Sequence, residues 1–337
     1  MSESRTLKER LGGALGRQRT AVSAAPGSLV KASGEGLPLV LGPRLKGVDL
    51  LAWAASSIKE IEARLHEHGG LLFRGFEVGG VEGFERFMRV TSGALLEYTY
   101  ASTPRTSVGG GVYTSTEYPA HLPIQLHNEM SYSRSWPARV GFYCRRAAER
   151  GGETPIADSR RVLALISPPV REAFASKGVM YVRNYGEGLD LSWGQVFKTE
   201  SRGEVEEFCR RSGIEYEWKG GGRLRTRQVC RALTRHPRTG EEVWFNQAHL
   251  FHVSALEAPL RERLLSQFKE EDLPRNAYYG DGSPIAEAAL EEVRAAYAGA
   301  SVKFNWAEGD ILLLDNVLAA HGREPYVGAR SILVGMA

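Results

Sequence analysis

The segment IQLHNEMSY (124–132) contains two side chains that can bind a metal ion, His127 and Glu129, separated by one residue. We predict that this segment forms a strand, in which side chains at positions i and i+2 point to the same face. His127 and Glu129 would then lie side by side, while Asn128 would point to the opposite face. A third ligand has to come from elsewhere, and His321, which follows the apolar run DILLLDN, is a candidate.

We call His127, Glu129 and His321 the triad. Two imidazoles and one carboxylate are the ligand set of the facial triad that binds non-haem iron(II) in oxygenases. Three ligands on one face of an octahedron leave three positions open for other molecules. Because His127 and His321 are far apart in the chain, only a closed sheet could bring them together. An H-x-E motif alone is weak evidence, since an exposed His and Glu on a strand are commonly a surface pair, so both interpretations stay open.

The elements around the triad predict a mainly β protein with inserted helices. Residues 48–68 have apolar side chains at helical spacing, with Asp49 as the N-cap and Gly69 as the stop. Strands are predicted at 37–44, 70–76, 124–132, 138–147 and 330–337, and a β meander over 214–220, 224–246 and 303–316. Early and late strands with helices between them predict a β-sandwich or a double-stranded β-helix, the jelly roll.

Composition and charge exclude several classes of function. The 337 residues are 42% hydrophobic and 25% charged, values that are ordinary for a globular protein. The net charge of +3 is too small to argue for a nucleic-acid partner, which would require a concentrated basic face. No apolar run is long enough to span a membrane, and three separated cysteines fit a reducing compartment, so we expect a cytoplasmic protein. Residues 1–35 are predicted to be a flexible lead-in and residues 36–337 a single domain. The sequence does not determine the oligomeric state.

Longer segments resemble a known family. The HNE motif, GGETPIADSR (151–160) and the C-terminal LLLDNVLAAHGREPYVGARSILVGM resemble the TauD/TfdA family of iron(II)/2-oxoglutarate-dependent dioxygenases. Within that family they are most similar to the branch of clavaminate synthase and the syringomycin-pathway aspartyl hydroxylase. The resemblance extends from residue 70 to residue 337. It implies a jelly-roll core, and it implies Fe(II), 2-oxoglutarate and O2 as cofactor and cosubstrates.

The resemblance also implies roles for individual residues. The triad would bind iron, with Glu129 in the place where the wider family commonly has aspartate. Thr154 would form a hydrogen bond with a carboxylate of 2-oxoglutarate, and Arg330 would pair with the distal carboxylate, for which a guanidinium is the best bidentate partner. Many relatives have two adjacent arginines here, whereas Arg330 is followed by Ser331. Arg323 is therefore a second, weaker candidate for the anchoring residue.

The implied reaction is hydroxylation of an unactivated C–H bond in an amino acid or a derivative of one, free or tethered to a carrier protein. A carboxylate ligand argues against a halogenase. The same cofactors can also desaturate, cyclise or epoxidise a substrate, and a non-catalytic jelly roll that binds a metal or ligand is the alternative from another class. Six residues are candidates for lining the substrate pocket: Arg105, Tyr118, Asn128, Tyr132, Asn246 and Gln247.

Several of these candidates have a structural alternative. Arg105 can equally form a scaffold ion pair, and Asn246 and Gln247 can cap backbone groups at the end of an apolar strand. His249 and His252 are spaced for one helical face, but no third ligand is near them in the sequence, so we expect packing or substrate-adjacent roles. The basic cluster of residues 223–231 is expected to be a solvated edge or, alternatively, an anion site.

Overall fold

The computed structural model describes residues 29–34, 36–97, 105–186 and 191–337. The strands are Val30–Ser33 (β1), Leu39–Pro43 (β2), Gly70–Phe73 (β3), Ser107–Gly109 (β4), Val112–Thr114 (β5), Ile124–His127 (β6), Arg139–Arg146 (β7), Arg150–Gly151 (β8), Thr154–Asp158 (β9), Val179–Tyr185 (β10), Glu215–Trp218 (β11), Leu224–Cys230 (β12), Leu233–Arg235 (β13), Glu242–Trp244 (β14), Arg275–Tyr279 (β15), Ser301–Phe304 (β16), Ile311–Asp315 (β17), Ala319–Arg323 (β18), Tyr326–Val327 (β19) and Ser331–Met336 (β20). The α-helices are Leu50–Ser56 (α1), Ile58–His68 (α2), Gly80–Ser92 (α3), Ser159–Leu165 (α4), Pro168–Lys177 (α5), Trp193–Phe197 (α6), Arg202–Ser212 (α7), Ala248–Phe251 (α8), Ala258–Gln267 (α9) and Glu287–Ala300 (α10). Short 3-10 turns are Gly220–Gly222, Val253–Ala255 and Glu270–Asp272.

Two sheets form the core. The larger has the order β1-β2-β3-β17-β7-β20-β5-β4 and the smaller the order β16-β9-β18-β6. Alternate side chains of β17 pack into two different layers, one on each face of the strand. Leu312 and Leu314 share a buried cluster with Ile156 of the smaller sheet, while Leu313 packs on the opposite face with Phe87 of α3. This arrangement confirms the predicted mainly β jelly-roll core.

A third sheet, β11-β12-β10-β15, is inserted in the chain between the core strands, and it shares a buried apolar cluster with helices α4 to α8 and α10. The predicted meander is wrong here. Strands β11 and β12 belong to the inserted sheet, β13 and β14 form a separate hairpin, and β16 and β17 lie in different core sheets. The local pattern identified strands correctly but not their partners, because pairing depends on residues distant in the chain.

The predicted helix over 48–68 is two helices, α1 and α2, which meet at Ser57. Asp49 does cap the first, since its Oδ1 accepts hydrogen bonds from the backbone N–H groups of Leu51 and Ala52. Gly69 ends the second with φ of 74°.

The N-terminal part of the chain begins its structure earlier than predicted. Residues 1–28 and 35 of the predicted lead-in lie outside the described residues. Within the remainder, Val30–Ser33 pair with β2 as the edge of the larger sheet, so the first strand precedes the predicted boundary at residue 36. None of the helices in the described ranges has the length and apolar composition required to cross a membrane.

Candidate metal centre

The smaller sheet brings the two histidines of the triad together. Strand β18 lies between β9 and β6, and in the antiparallel pairing with β6 His321 is directly opposite His127. Side chains opposite each other in such a pair lie on the same face. The centroids of the two imidazole rings are 4.7 Å apart, with 47° between the ring planes. Phe142 of the larger sheet packs edge-on against His321 at 4.9 Å, which gives the site an apolar wall.

Glu129 reaches the same point from a turn. Strand β6 ends at His127, so the prediction that Glu129 lies in a strand is wrong. Met130, directly after it, has φ of 56°, a left-handed conformation that is uncommon for a non-glycine residue. Glu129 Oε2 nevertheless lies 3.8 Å from His321 Nε2. One candidate ligand atom from each triad residue lies within 4.8 Å of those of the other two.

The imidazoles are in the form that binds metals. His127 Nδ1 donates to the carbonyl oxygen of Gln125 at 2.8 Å, which leaves the lone pair on Nε2. Burial lowers the pKa of His127, and burial lowers the pKa of His321 further, with the nearby His127 and Arg105 acting in the same direction. Both rings are therefore neutral at physiological pH. A site of two neutral imidazoles and one carboxylate suits a divalent cation such as iron(II).

Arg105 holds the carboxylate of the triad. Its Nη2 donates to Glu129 Oε2 at 2.8 Å, and the two side chains are only 3% and 4% exposed. A buried carboxylate needs such a partner, because an isolated charge at this depth would be costly. Arg105 therefore lies beside the candidate metal ligands. This position fits the predicted scaffold ion pair, and a role close to substrate stays a prediction.

A cavity beside the triad contains the residues expected to bind the cosubstrate. Its wall includes His127, His321, Thr154 and Arg330. The Nε of Arg330 donates to the carbonyl oxygen of Gly152 at 3.2 Å, and no carboxylate among the described residues acts on its guanidinium. Burial lowers the pKa of Arg330 to about 10, with a contribution from nearby Arg323, so the group is still charged at neutral pH. A partly buried cation without an anion fits a carboxylate ligand.

Arg323, the weaker candidate for the same role, is already engaged. Its Nη1 and Nη2 donate to the backbone carbonyl oxygens of Tyr118, Pro119 and Leu122 at 2.6–3.0 Å. Thr154, in contrast, accepts a hydrogen bond from Trp306 Nε1 at 2.9 Å through its hydroxyl oxygen and retains a hydrogen to donate. The geometry favours Arg330 and Thr154 over Arg323 for a carboxylate ligand.

Three of the residues predicted to line the substrate pocket support the backbone. Asn128 Nδ2 donates to Ser159 Oγ and to the carbonyl oxygen of Asn316. Gln247 Nε2 donates to the carbonyl oxygen of Asn128. Asn246 Nδ2 donates to the carbonyl oxygen of Ala232, and its Oδ1 accepts from the backbone N–H of Ala248.

The two predicted tyrosines lie in different environments. Tyr132 is buried among aromatic rings, with Phe251 at 5.3 Å, whereas Tyr118 is 45% exposed. A substrate contact for any of these five residues stays a prediction.

A second cluster, His66, His236 and Asp315, also has its ligand atoms within 4.8 Å of one another. Arg139 binds two of its three members, because its guanidinium donates to Asp315 Oδ2 and, at 3.1 Å, to His66 Nε2. His236 Nε2 donates to Asp315 at 3.1 Å, while its Nδ1 accepts two backbone N–H groups. With both nitrogens of His236 engaged and a cation in place, the cluster is an ion-pair network rather than a metal site.

Sequence reasoning missed Asn316, which contacts the backbone of Glu129. The available signal was an Asp-Asn pair directly after the buried run Ile311–Leu314, where a polar side chain must find partners inside the protein. His249 was expected to have a packing role, and it is buried, stacked on Tyr297 at 4.6 Å and bonded through Nε2 to the carbonyl oxygen of Leu126.

Comparison with known proteins places this geometry in context. A family model described as "Taurine catabolism dioxygenase TauD, TfdA family" matches residues 33–337. The chain is 41% identical over 305 residues to the dapdiamide synthesis protein DdaC of Enterobacter agglomerans, covering 89% of this chain and 93% of DdaC. It is 29% identical over 286 residues to a clavaminate synthase-like protein of Arabidopsis thaliana, covering 82% of this chain and 83% of that protein.

The fold is also found among solved structures. The crystal structure of PvcB from Pseudomonas aeruginosa superposes with a TM-score of 0.56 and 17% sequence identity. The match covers 95% of this chain and 94% of that chain. At this level of identity the likeness concerns the fold, and it agrees with the two-sheet core described above.

Proposed function

Because the chain belongs to the TauD/TfdA family of dioxygenases, it is an enzyme of that class, and we propose that it uses iron(II) and 2-oxoglutarate to hydroxylate an unactivated C–H bond of a small, amino-acid-like substrate. The observation that carries this proposal is that one cavity is lined both by Arg330 and by His127 and His321, two members of the three-ligand cluster. Either feature alone would be compatible with a purely structural role. Together they fit a metal ion with a dicarboxylate bound beside it.

The residues of the triad and of the cavity beside it have separate tasks in this proposal. His127, Glu129 and His321 hold iron(II), which when bound supplies the activation of O2 coupled to the decarboxylation of 2-oxoglutarate. Arg330 fixes the distal carboxylate of the cosubstrate through paired N–H donors, and Thr154 donates its hydroxyl hydrogen to a carboxylate oxygen. The apolar wall that includes Phe142 and Ile332 keeps bulk water away from the reacting groups.

The substrate class rests on a relative and on the cavity. DdaC, whose name assigns it to dapdiamide synthesis, covers nearly the same length as this chain. The proposed amino-acid-like substrate carries a carboxylate or amide group. The guanidinium of Arg105 lies beside the candidate metal ligands, where such a group can bind. We include the carrier-tethered form of an amino acid in the proposal beside the free form.

Binding of metal and cosubstrate can be tested without knowing the substrate. Anaerobic addition of Fe(II) and 2-oxoglutarate to the full chain should produce a weak metal-to-ligand charge-transfer band in the visible spectrum. The band should be lost in His127→Ala and retained in His121→Ala, because His121 is exposed and outside the cluster. A folded protein that shows no band would instead be the non-catalytic jelly roll.

The outcome of the reaction is a separate question. Succinate formation should be screened against free amino acids and against the same amino acids loaded on a carrier protein, and the product should be analysed by mass spectrometry. A saturated substrate that gains one oxygen atom supports hydroxylation. A product that has lost two hydrogen atoms would contradict it and indicate desaturation or cyclisation, and oxygen gained across a double bond would indicate epoxidation.

A further inference from the structure

Asn316 connects the two parts of the chain that supply the metal ligands. It directly follows β17, is fully buried, and precedes the strand that carries His321. Its neighbour Asp315 shapes the connection, because Oδ1 of Asp315 accepts hydrogen bonds from the backbone N–H groups of Val317 and Leu318 at 3.0 and 3.2 Å. The Asn316 side chain points away from this connection and towards the turn that carries Glu129.

The amide of Asn316 holds the backbone of Glu129 from both sides. Its Oδ1 accepts the N–H of Glu129 at 2.7 Å, and its Nδ2 donates to the carbonyl oxygen of Glu129 at 2.9 Å. The second hydrogen of Nδ2 goes to the carbonyl oxygen of Pro137 at 2.8 Å. The backbone carbonyl oxygen of Asn316 in turn accepts from Asn128 Nδ2 at 2.7 Å. Both N–H donors and the oxygen of this side chain are therefore in use.

Glu129 needs such support more than the histidines of the triad do. His127 and His321 are fixed by the pairing of β6 with β18, but Glu129 lies beyond the end of β6 and precedes a residue with positive φ. Without sheet pairing, the backbone of Glu129 would be free to rotate its carboxylate away from the two imidazoles. The Asn316 amide replaces the missing strand partner, since it offers one acceptor and one donor to the same residue, as a neighbouring strand would.

We propose that Asn316 is a positioning residue for the metal centre, which sets the direction of the Glu129 carboxylate and couples it to the segment that carries His321. This inference rests on the proposed metal-binding function. It assigns a role in metal affinity to a residue that contacts no ligand atom. Residues that orient metal ligands typically change metal affinity by about 10–100-fold when they are replaced.

The test is Co(II) binding to the full chain, followed by its visible d–d absorption under anaerobic conditions. We expect Asn316→Ala to weaken Co(II) binding by roughly 10-fold or more. The control is Asn276→Ala, because Asn276 is also buried and also bonds through both amide atoms, but in the inserted sheet. The control should lose thermal stability comparably and keep its Co(II) affinity within about twofold. Equal Co(II) affinity and an equal spectrum for Asn316→Ala and the wild type would overturn the proposal.

A double-mutant cycle separates positioning of Glu129 from general damage. In a Glu129→Ala background the carboxylate is absent, so Asn316→Ala should have no further effect on Co(II) affinity, within about twofold. A full additional loss in that background would contradict the proposal. If Asn316→Ala does not fold, Asn316→Asp keeps the acceptor for Glu129 N–H and removes both donors, and it should show a weakened Co(II) affinity with the same dependence on Glu129. Failure of the wild type itself to bind Co(II) would count against the proposed function instead.

Discussion

Replacing Arg330 tests the link between the cavity and a dicarboxylate cosubstrate. The change Arg330→Gln removes the guanidinium and keeps a polar side chain of similar reach. The change should lower the affinity for 2-oxoglutarate, because Arg330 lines the cavity and no carboxylate among the described residues neutralises its guanidinium. Stability should fall little, since the only hydrogen bond from this side chain to the described residues is the one to Gly152.

The expected loss of 2-oxoglutarate affinity follows from how deeply the ion pair between Arg330 and the cosubstrate carboxylate would be buried. Removing one partner of a buried, hydrogen-bonded ion pair across an interface costs about 2–5 kcal/mol. Arg330 is partly rather than fully buried, which places the expected loss in the lower half of that range. A loss of about 2–3 kcal/mol corresponds to roughly a 30- to 150-fold increase in the Kd for 2-oxoglutarate. Arg330→Lys, which keeps the charge but not the paired donors, should lie between the wild type and Arg330→Gln.

The assay is anaerobic titration of 2-oxoglutarate into the Fe(II)-loaded enzyme, followed by the charge-transfer band. Arg146→Gln is the matched control, because Arg146 is exposed on β7 beside Ser331 and its loss changes the net charge equally. The control should keep its Kd within about twofold. If Arg330→Gln also bound 2-oxoglutarate with wild-type affinity, the assignment of Arg330 as the carboxylate anchor would be refuted. A large loss in Arg323→Gln without loss of folding would then point to Arg323.

Two further predictions concern other buried groups. Thr154→Val should weaken 2-oxoglutarate binding by about 1.5–3 kcal/mol, the usual contribution of a hydrogen bond to a charged group. Unchanged affinity in the same titration would remove Thr154 from the site. Burial raises the pKa of the three cysteines, to about 12 for Cys144 and Cys230 and to about 11 for Cys209. Native protein at pH 8 should therefore not react with a thiol reagent, whereas all three thiols should react in unfolded protein. Because unfolded thiols ionise near pH 8.5, at about their ordinary pKa, unfolding should become easier as the pH rises above that value, and a Tm that stayed constant up to about pH 11 would contradict this.

The two histidines illustrate what the sequence could predict. The strand pattern around His127 and the apolar run before His321 are sufficient to predict that a closed sheet brings the two histidines together. The structure pairs the two residues directly in the smaller sheet. The periodicity of a strand is a local property, so it can be read without knowledge of the fold. The N-cap at Asp49 is local for the same reason and was predicted correctly.

The position of Glu129 shows where local reasoning fails. A strand continued through residue 129 would place its side chain beside that of His127, but β6 ends two residues earlier and a turn brings the carboxylate to the same region. In that turn the backbone of Glu129 is hydrogen-bonded to Asn316, which lies far along the chain, and no local pattern encodes this contact. The same limitation explains the wrong meander, since strand partners in the inserted and core sheets are chosen by tertiary packing.

The charges around the cavity give a reason for metal and cosubstrate to bind together. Three arginines, Arg105, Arg323 and Arg330, lie along it, while Glu129 is the carboxylate that contacts one of them and the histidines are neutral. A divalent cation alone would add positive charge to a region that already has an excess of it. A dicarboxylate such as 2-oxoglutarate supplies the missing negative charge, so each ligand should favour the binding of the other, and thermodynamic linkage makes the effect reciprocal. The same excess of positive charge gives a reason for a partly buried guanidinium, that of Arg330, beside the candidate metal ligands. A neutral side chain there would cost less free energy in the ligand-free protein, but it could not bind the carboxylate of the cosubstrate.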